Sequence, residues 1–263
     1  MEYRHILFEV TDGVAKITLN RPDVLNSFNR AMAHEVQDAL NHLQKDRQIR
    51  SALLTGCGRA FCAGQDLSEV VDKDGTPTCD IGDIVRESYN PIIRSIRHTE
   101  KPFVCAVNGV AAGAGANVAL ACDIVIAAKE ASFIQAFSKI GLIPDSAGTF
   151  LLPRLVGLAQ ASALAMLGEK ISAERAWELG MIYKVCQGAA LIEETTALAK
   201  TLAALPTRGL GLIKRALNQS VVNDLDTQLK LEEELQREAG KTSDYREGVT
   251  AFMSKRAPKF QGM

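Results

Sequence analysis

The 263-residue sequence predicts an α/β fold of stacked β-β-α turns with a mostly helical C-terminal part. Three observations predict it. Short apolar runs of strand length recur through the first half, set between segments of helical period. A strand pair and a helix occur together near residues 6–45 and again near 104–127, the second pair split around its helix; the repeat is one of architecture and not of sequence. From about residue 158 onward the periodicity is overwhelmingly helical. No low-complexity linker divides the chain, so we read one continuous domain, with residues 1–200 as a spiral core and 201–263 as a helical C-terminal region.

The elements follow in order. Ile6 to Val10 and Ala15 to Leu19 read as strands joined by Thr11-Asp12-Gly13, a hairpin signal, and Asn20-Arg21-Pro22 breaks the second. Met32, Val36, Leu40 and Leu43 recur at helical spacing and predict an amphipathic helix over 30–45. Ser51 to Thr55 is the next strand, followed from Gly56 to Leu67 by a loop rich in small residues. Residues 72–80 are polar and expected to be mobile. Ile81, Ile84, Val85, Ile92, Ile93 and Ile96 predict a helix bent near Pro91. Phe103 to Val107 reads as a buried strand and Asn108-Gly109 as a turn. Gly113-Ala114-Gly115 then opens an Ala-rich helix that Asp123 ends, before a second buried strand at Ile124-Val125-Ile126. Beyond it come a short strand at Ser132–Gln135, a loop from Gly141 to Gly148 entering a helix, and a strand near Met181–Val185. The last two helices are Asp224–Ala239 and Asp244–Lys255.

Composition narrows the function classes. A net charge of −1, with Lys and Arg scattered, argues against a nucleic-acid partner. The six Cys show no C-x-x-C spacing, and several lie in apolar runs, which fits reduced thiols in a cytoplasmic protein. Met1-Glu-Tyr-Arg-His5 lacks the pattern of a signal peptide. Residues 103–122 carry no formal charge and are long enough to span a bilayer, but Asn, Gly and Ala make them weakly hydrophobic, so no membrane partner is expected. Gly113-Ala-Gly115-Ala-Asn-Val118 starts like a dinucleotide fingerprint, yet Val118 stands where the third Gly belongs. His5, His34, His42 and His98 are isolated, so no metal site is expected.

Two Gly-flanked loops, 61–67 and 108–115, follow apolar strands, and each offers a backbone N–H with little side chain to cover it. A helix start bare of side chains can hold a negative oxygen. Two donors aimed at one oxygen are what enolate formation needs, and losing one costs roughly 3–4 kcal/mol. The same small residues also suit close helix–strand packing. Asp145, after Pro and before Ser-Ala-Gly, is by its spacing a good helix N-cap, a role far commoner than that of a catalytic base. Cys62 is a small packed residue or a nucleophile, and Asp66 a helix cap or a ligand contact. Lys255, Arg256 and Lys259 form a basic cluster, either solvated surface or a phosphate contact.

Phe61-Cys-Ala-Gly-Gln-Asp-Leu67, with Asn108-Gly-Val-Ala-Ala-Gly-Ala-Gly-Ala116 and Cys122-Asp123, resembles the crotonase superfamily, the enoyl-CoA hydratase/isomerase family. The resemblance runs from the N-terminal hairpin through Leu19-Asn-Arg-Pro22 to the final helix. It implies the crotonase (ClpP/crotonase-like) fold and an acyl-CoA thioester substrate, with coenzyme A entering as part of that substrate and no separate cofactor. It implies further that the backbone N–H groups of Gln65 and Ala114 hold the thioester oxyanion. Val24, Ala63, Gln65, Asp66, Leu67, Gly113 and Phe137 become the contacts to substrate and CoA. Assembly as a homotrimer or hexamer through the C-terminal helices is implied as well.

Hydratases of that family place one Glu three residues after the second oxyanion residue and another just beyond a later short strand. Here those positions hold Asn117 and Phe137, and neither accepts a proton at neutral pH. Asp145 falls where several isomerases and an aromatic acyl-CoA dehalogenase carry the working carboxylate. An apolar setting of Phe137, Ile140 and Leu142 is expected to raise its pKa, which suits proton shuttling. Ala136 to Asp145, Gly209 to Lys214 and Asp244 to Val249 are most similar to isomerases, which implies conversion of the ring 1,2-epoxide of phenylacetyl-CoA to its oxepin form, or a double-bond shift in an enoyl-CoA. The alternatives are an enoyl-CoA hydratase, another crotonase-type lyase or hydrolase, and a CoA-binding protein without turnover in which Asp145 only caps a helix.

Overall fold

The chain opens on a hairpin of β1 (Ile6–Thr11) and β2 (Val14–Leu19). Its two-residue turn, Asp12-Gly13, holds both residues at positive φ, the geometry that matches the right-handed twist of paired strands. The helix α1 (Arg30–Lys45) follows, and the Asn29 side chain caps it by accepting from the Met32 N–H at 2.8 Å. Met32, Val36, Leu40 and Leu43 all face the core, as their spacing predicts. The computed structural model describes residues 2–263.

Beyond the hairpin the strands alternate between two sheets. β3 (Ser51–Gly56), β5 (Phe103–Val107) and β7 (Ile124–Ala128) enter the first; β4 (Ala60–Cys62), β6 (Val110–Ala112) and β8 (Ser132–Ile134) enter the second. With β9 (Lys170–Ser172) and β10 (Lys184–Cys186) the orders are β1-β2-β3-β5-β7-β10 and β4-β6-β8-β9. Among the described residues only the edge pairs β1/β2 and β8/β9 of these strands are antiparallel. Parallel strands covered on both faces read as continuous apolar runs, and β5 is buried at every residue. Each turn of the spiral thus gives one strand to each sheet, which is the stacked β-β-α arrangement.

Three short strands, β4, β6 and β9, escape the sequence pattern: β4 and β6 lie inside small-residue stretches that read as loop and turn, and β9 inside a stretch that reads as helical. The second strand pair is split around its helix as expected, with β6 as the strand the sequence reading lacked. β5 and β7 are neighbours in the first sheet, and the partner that completes the turn is β6, ahead of α4 (Ala114–Leu120). The strand expected near Met181–Val185 lies later, at Lys184–Cys186; Met181 and Ile182 are buried in the approach to it. Residues 103–122 are divided among β5, β6 and α4.

Between β4 and β5 run α2 (Ile81–Ile84), a π turn (Val85–Tyr89) and α3 (Asn90–His98). The bend expected at Pro91 takes the form of that π turn, in which the Asn90 N–H reaches back to the Val85 oxygen. A Pro at the second position of α3 has no N–H to give and crowds the preceding turn.

After β8 a 3₁₀ turn (Ala136–Ile140) leads to α5 (Gly148–Leu167), which is broken at Gly157. By length and composition α5 is apolar enough to cross a membrane. Next come α6 (Ala173–Glu178) and α7 (Leu191–Ala204), the latter packed on β3, β5 and β7. The last three helices are α8 (Thr207–Ser220), α9 (Leu225–Ala239, capped by Asp224) and α10 (Ser243–Met253). Lys214 of α8 ties them to the core, its ammonium donating to the Ile96 carbonyl at 2.6 Å and to Asp123 at 2.8 Å.

Candidate active site

β4 and β6 are adjacent parallel strands, with Cys62 beside Ala111, so their C-terminal ends leave the small sheet side by side. Loops at the carboxyl ends of parallel strands are where ligands collect in α/β proteins. One end continues as Ala63-Gly64-Gln65 and the other as Gly113-Ala114. The two loops that the sequence leaves unconnected therefore meet: a Cβ at Gly64 would lie 3.7 Å from the Ala114 nitrogen.

Both amides are open. Phe28 brackets Gln65 from one side, its N–H donating to the Gly64 oxygen at 2.7 Å and its carbonyl accepting from the Asp66 N–H at 2.8 Å. Strand alternation then turns the Gln65 N–H the other way. Ala114 is the first residue of α4, where the N–H has no partner within the helix. Among the described residues neither N–H donates to a protein acceptor. Gly113 makes the turn into α4 at φ 53°, ψ −128°, a conformation that a Cβ would oppose.

Gly115 sets the spacing. A Cβ there would fall 2.5 Å from the Cys62 oxygen, so α4 rests directly on the end of β4. Cys62 is fully buried, and burial pushes its thiol up to about 12. It is a packed residue and not a nucleophile.

The two loops open on a cavity of about 250 Å³. Ala63, Gln65, Leu67, Gly113, Ala114, Phe137 and Asp145 all line it, as do Ile140 and Leu142. Asp145 is the only carboxylate among the lining residues and Lys139 the only cation. Burial raises the Asp145 pKa, and a 2.8 Å hydrogen bond from the Ser146 hydroxyl offsets part of the rise. The capping alternative for Asp145 does not hold. The cap position of α5 is Ala147, no side chain bonds there, and Asp145 offers only its main-chain oxygen, to the Gly148 N–H at 2.8 Å.

Two expected contact residues lie outside the cavity lining. Val24 sits on an exposed 3₁₀ turn, Pro22–Val24, one residue before the Leu25 carbonyl that accepts from the Ala63 N–H at 3.0 Å. Asp66 turns away from the cavity to accept from Arg21 at 2.9 Å and from the Ser68 hydroxyl at 2.6 Å, and it caps the 3₁₀ turn Leu67–Glu69. Burial alone would raise the Asp66 carboxyl, but Ser68 and Arg21 outweigh it and bring it below its ordinary value.

Asn117 is also outside the cavity. It is buried between Gln135 and the Asp145 main chain, whereas Phe137 forms part of the cavity wall. The sequence pattern missed the opposite wall: Ile84 of α2, and Val85 and Tyr89 of the π turn. Tyr89 is 1% exposed and donates its hydroxyl hydrogen to Gln65 Oε1. The only sequence signal was the break in the isoleucine period between Val85 and Ile92. Burial, followed by the nearby Cys62 and Asp145, puts the Tyr89 phenol well above its usual pKa. Of the C-terminal basic cluster, Arg256 pairs with Glu247 at 2.6 Å on the surface. Among the described residues no group of three or more His, Cys, Asp or Glu is placed to hold a metal.

Residues 9–263 match the family described as enoyl-CoA hydratase/isomerase. The chain is 54% identical to the 1,2-epoxyphenylacetyl-CoA isomerase of Escherichia coli K12, over 98% of each chain. It is 39% identical to the trans-2-decenoyl-(acyl-carrier-protein) isomerase of Streptococcus mutans, with 100% of each covered. The crystal structure of enoyl-CoA hydratase from Bacillus anthracis matches it with a TM-score of 0.91 at 33% identity, over 99% of this chain and 100% of that one.

Proposed function

The chain belongs to the enoyl-CoA hydratase/isomerase family, and from that premise we propose that it is an acyl-CoA isomerase whose proton carrier is Asp145. The thioester carbonyl oxygen lies between the N–H groups of Gln65 and Ala114. Asp145 takes a proton from the carbon beside that carbonyl, and negative charge moves onto the oxygen as the enolate forms. The same carboxyl returns the proton farther along the acyl group. No atom is gained or lost, which is isomerisation. With a 3-enoyl thioester the outcome is a 2-enoyl thioester; with the ring 1,2-epoxide of phenylacetyl-CoA it is the oxepin form, the reaction class of a step in phenylacetate catabolism.

One observation carries this reading: the single carboxylate on the cavity wall shares it with two unpartnered backbone donors. A raised pKa suits a group that must both accept and return a proton near neutrality. Hydration by two glutamates is not supported, since Asn117 is walled off from the cavity and Phe137 is apolar.

Coenzyme A enters as part of the substrate, with Ala63 to Leu67 and Val24 along its path and no separate cofactor. We place the enzyme in the cytoplasm as a homotrimer or hexamer. In support, α5 and α10 carry large exposed apolar side chains, Leu158 at 74%, Met166 at 76% and Phe252 at 80% exposure.

The test is product analysis with the phenylacetyl-CoA ring epoxide and a 3-enoyl-CoA, beside crotonyl-CoA hydration. Isomer formation that Asp145→Asn lowers by about 100- to 10,000-fold supports the reading. Efficient hydration that survives Asp145→Asn overturns it.

A further inference from the structure

The backbone that carries Asp145 is strained. Ser146 and Ala147, the next two residues, have φ of 50° and 62°, the left-handed region that a Cβ disfavours. Such residues persist only where their surroundings over-determine them, and they gather at functional sites.

The constraint comes from Asn117. Its Nδ2 donates to the Asp145 main-chain oxygen at 2.8 Å, beside the Gly148 N–H on the same oxygen. The Asn117 side chain is fully buried, and its Oδ1 accepts from Gln135 Nε2 at 2.9 Å. That second bond fixes which end of the carboxamide faces Asp145. The start of α5 is built against the same group: a Cβ at Gly148 would lie 2.3 Å from Asn117 Nδ2.

The other end of the link is the oxyanion turn. Asn117 lies in the first turn of α4, three residues after Ala114, and its N–H donates to the Gly113 oxygen at 3.2 Å. The Gly113 N–H donates in turn to the Ile134 oxygen at 2.8 Å, one residue before Gln135. One carboxamide therefore bridges the turn that holds the Ala114 donor and the loop that holds the carboxylate.

We propose that Asn117, oriented by Gln135, is a positioning residue that fixes the Asp145 carboxylate relative to the Ala114 N–H. It meets no substrate and acts through the Asp145 main chain. The inference rests on the reading of Asp145 as the proton carrier. The other titratable side chains on the cavity wall are Tyr89 of the π turn and Lys139 of the 3₁₀ turn; Asn117 and Gln135 add none.

The experiment compares Asn117→Ala and Gln135→Met with the wild-type chain on whichever thioester the wild type turns over, scoring kcat per folded site, KM and the acid limb of the pH–rate profile. An angstrom of misplacement costs about 100-fold in rate, and that is the fall in kcat expected for Asn117→Ala, with a smaller fall for Gln135→Met. KM stays within about twofold, because the Gln65 and Ala114 donors are untouched. The acid limb moves to lower pH as the carboxyl leaves its buried seat. A merely structural role lowers the amount of folded protein but leaves kcat per folded site and the limb where they are, and that result overturns the inference. If Asn117→Ala does not fold, Gln135→Met gives the same readouts. An active wild type beside unchanged variants defeats this inference alone, whereas a wild type that turns over none of the thioesters defeats the reading of Asp145 as well.

Discussion

The Tyr89 hydroxyl donates a 2.8 Å hydrogen bond to the side-chain oxygen of Gln65, a cavity-lining residue whose main-chain N–H has no protein acceptor among the described residues. The Tyr89 ring packs on Phe28 with 5.6 Å between centroids, and Phe28 brackets Gln65 through the main chain. One backbone donor is thus fixed from two sides, by a π turn and by a bridge near the start of α1.

Removing only the hydroxyl tests that support. Tyr89→Phe keeps the ring and deletes a bond worth about 1 kcal/mol net, so kcat/KM should fall about fivefold. The melting temperature should move little, because Gln65 is half-buried and water can replace the lost partner. Steady-state kinetics and a thermal melt on the same preparation check both halves.

Asp145→Asn is expected to exchange activity for stability. Burial raises the folded-state pKa of Asp145, so the unfolded chain releases this proton first as pH rises. The wild type is therefore favoured below the ordinary aspartate value of about 3.9 and penalised as pH climbs through the raised folded value. Asn carries no such penalty and still accepts from the Ser146 hydroxyl. The variant should be the more stable protein at neutral pH, with the gap closing in acid. Denaturant unfolding at several pH values reads this directly.

Much of this was legible before any coordinates, for definable reasons. Long periodic segments announced themselves: α1 has the bounds that Met32, Val36, Leu40 and Leu43 predict. The loops at 61–67 and 113–115 were legible because small residues cluster there, and Asp145 because the family resemblance singled it out. What brings the loops together was not, since β4 and β6 are three residues each and their pairing is a long-range fact. Tyr89 was hidden because a π turn rotates the helix face by an amount that no fixed period describes. The Arg21 partner of Asp66 was out of reach as well, because it lies 45 residues away in sequence.

The Arg21–Asp66 pair should make stability sensitive to acid in the opposite sense to Asp145. Its partners hold the Asp66 carboxyl below its ordinary value, so its contribution is complete above about 3.9 and is lost as pH falls through the lower folded value. Asp66→Asn should cost about 1.5–3 kcal/mol at neutral pH, the range for hydrogen bonds to charged groups, and much less in acid. KM for the thioester should change only if the 61–67 loop shifts. Unfolding curves at neutral and acid pH, with KM measured beside them, separate support of the loop from direct contact with substrate.

Gly115→Ala tests the spacing of the two donors. A Cβ at this position meets the Cys62 oxygen at 2.5 Å, its sulfur at 2.6 Å and its Cβ at 2.7 Å, two of them part of a buried strand end that cannot rotate aside. Inserting one methyl group into such a contact costs about 1–3 kcal/mol. Relief requires α4 to move away from β4, which carries the Ala114 N–H away from the Gln65 N–H. Stability and kcat should therefore fall together, whereas KM, set largely by the coenzyme A portion, should change less. Cys62→Ala in the same chain removes the sulfur but leaves the carbonyl in place. The double variant should regain part of the lost stability and little of the lost turnover, because the carbonyl contact still keeps the two amides apart.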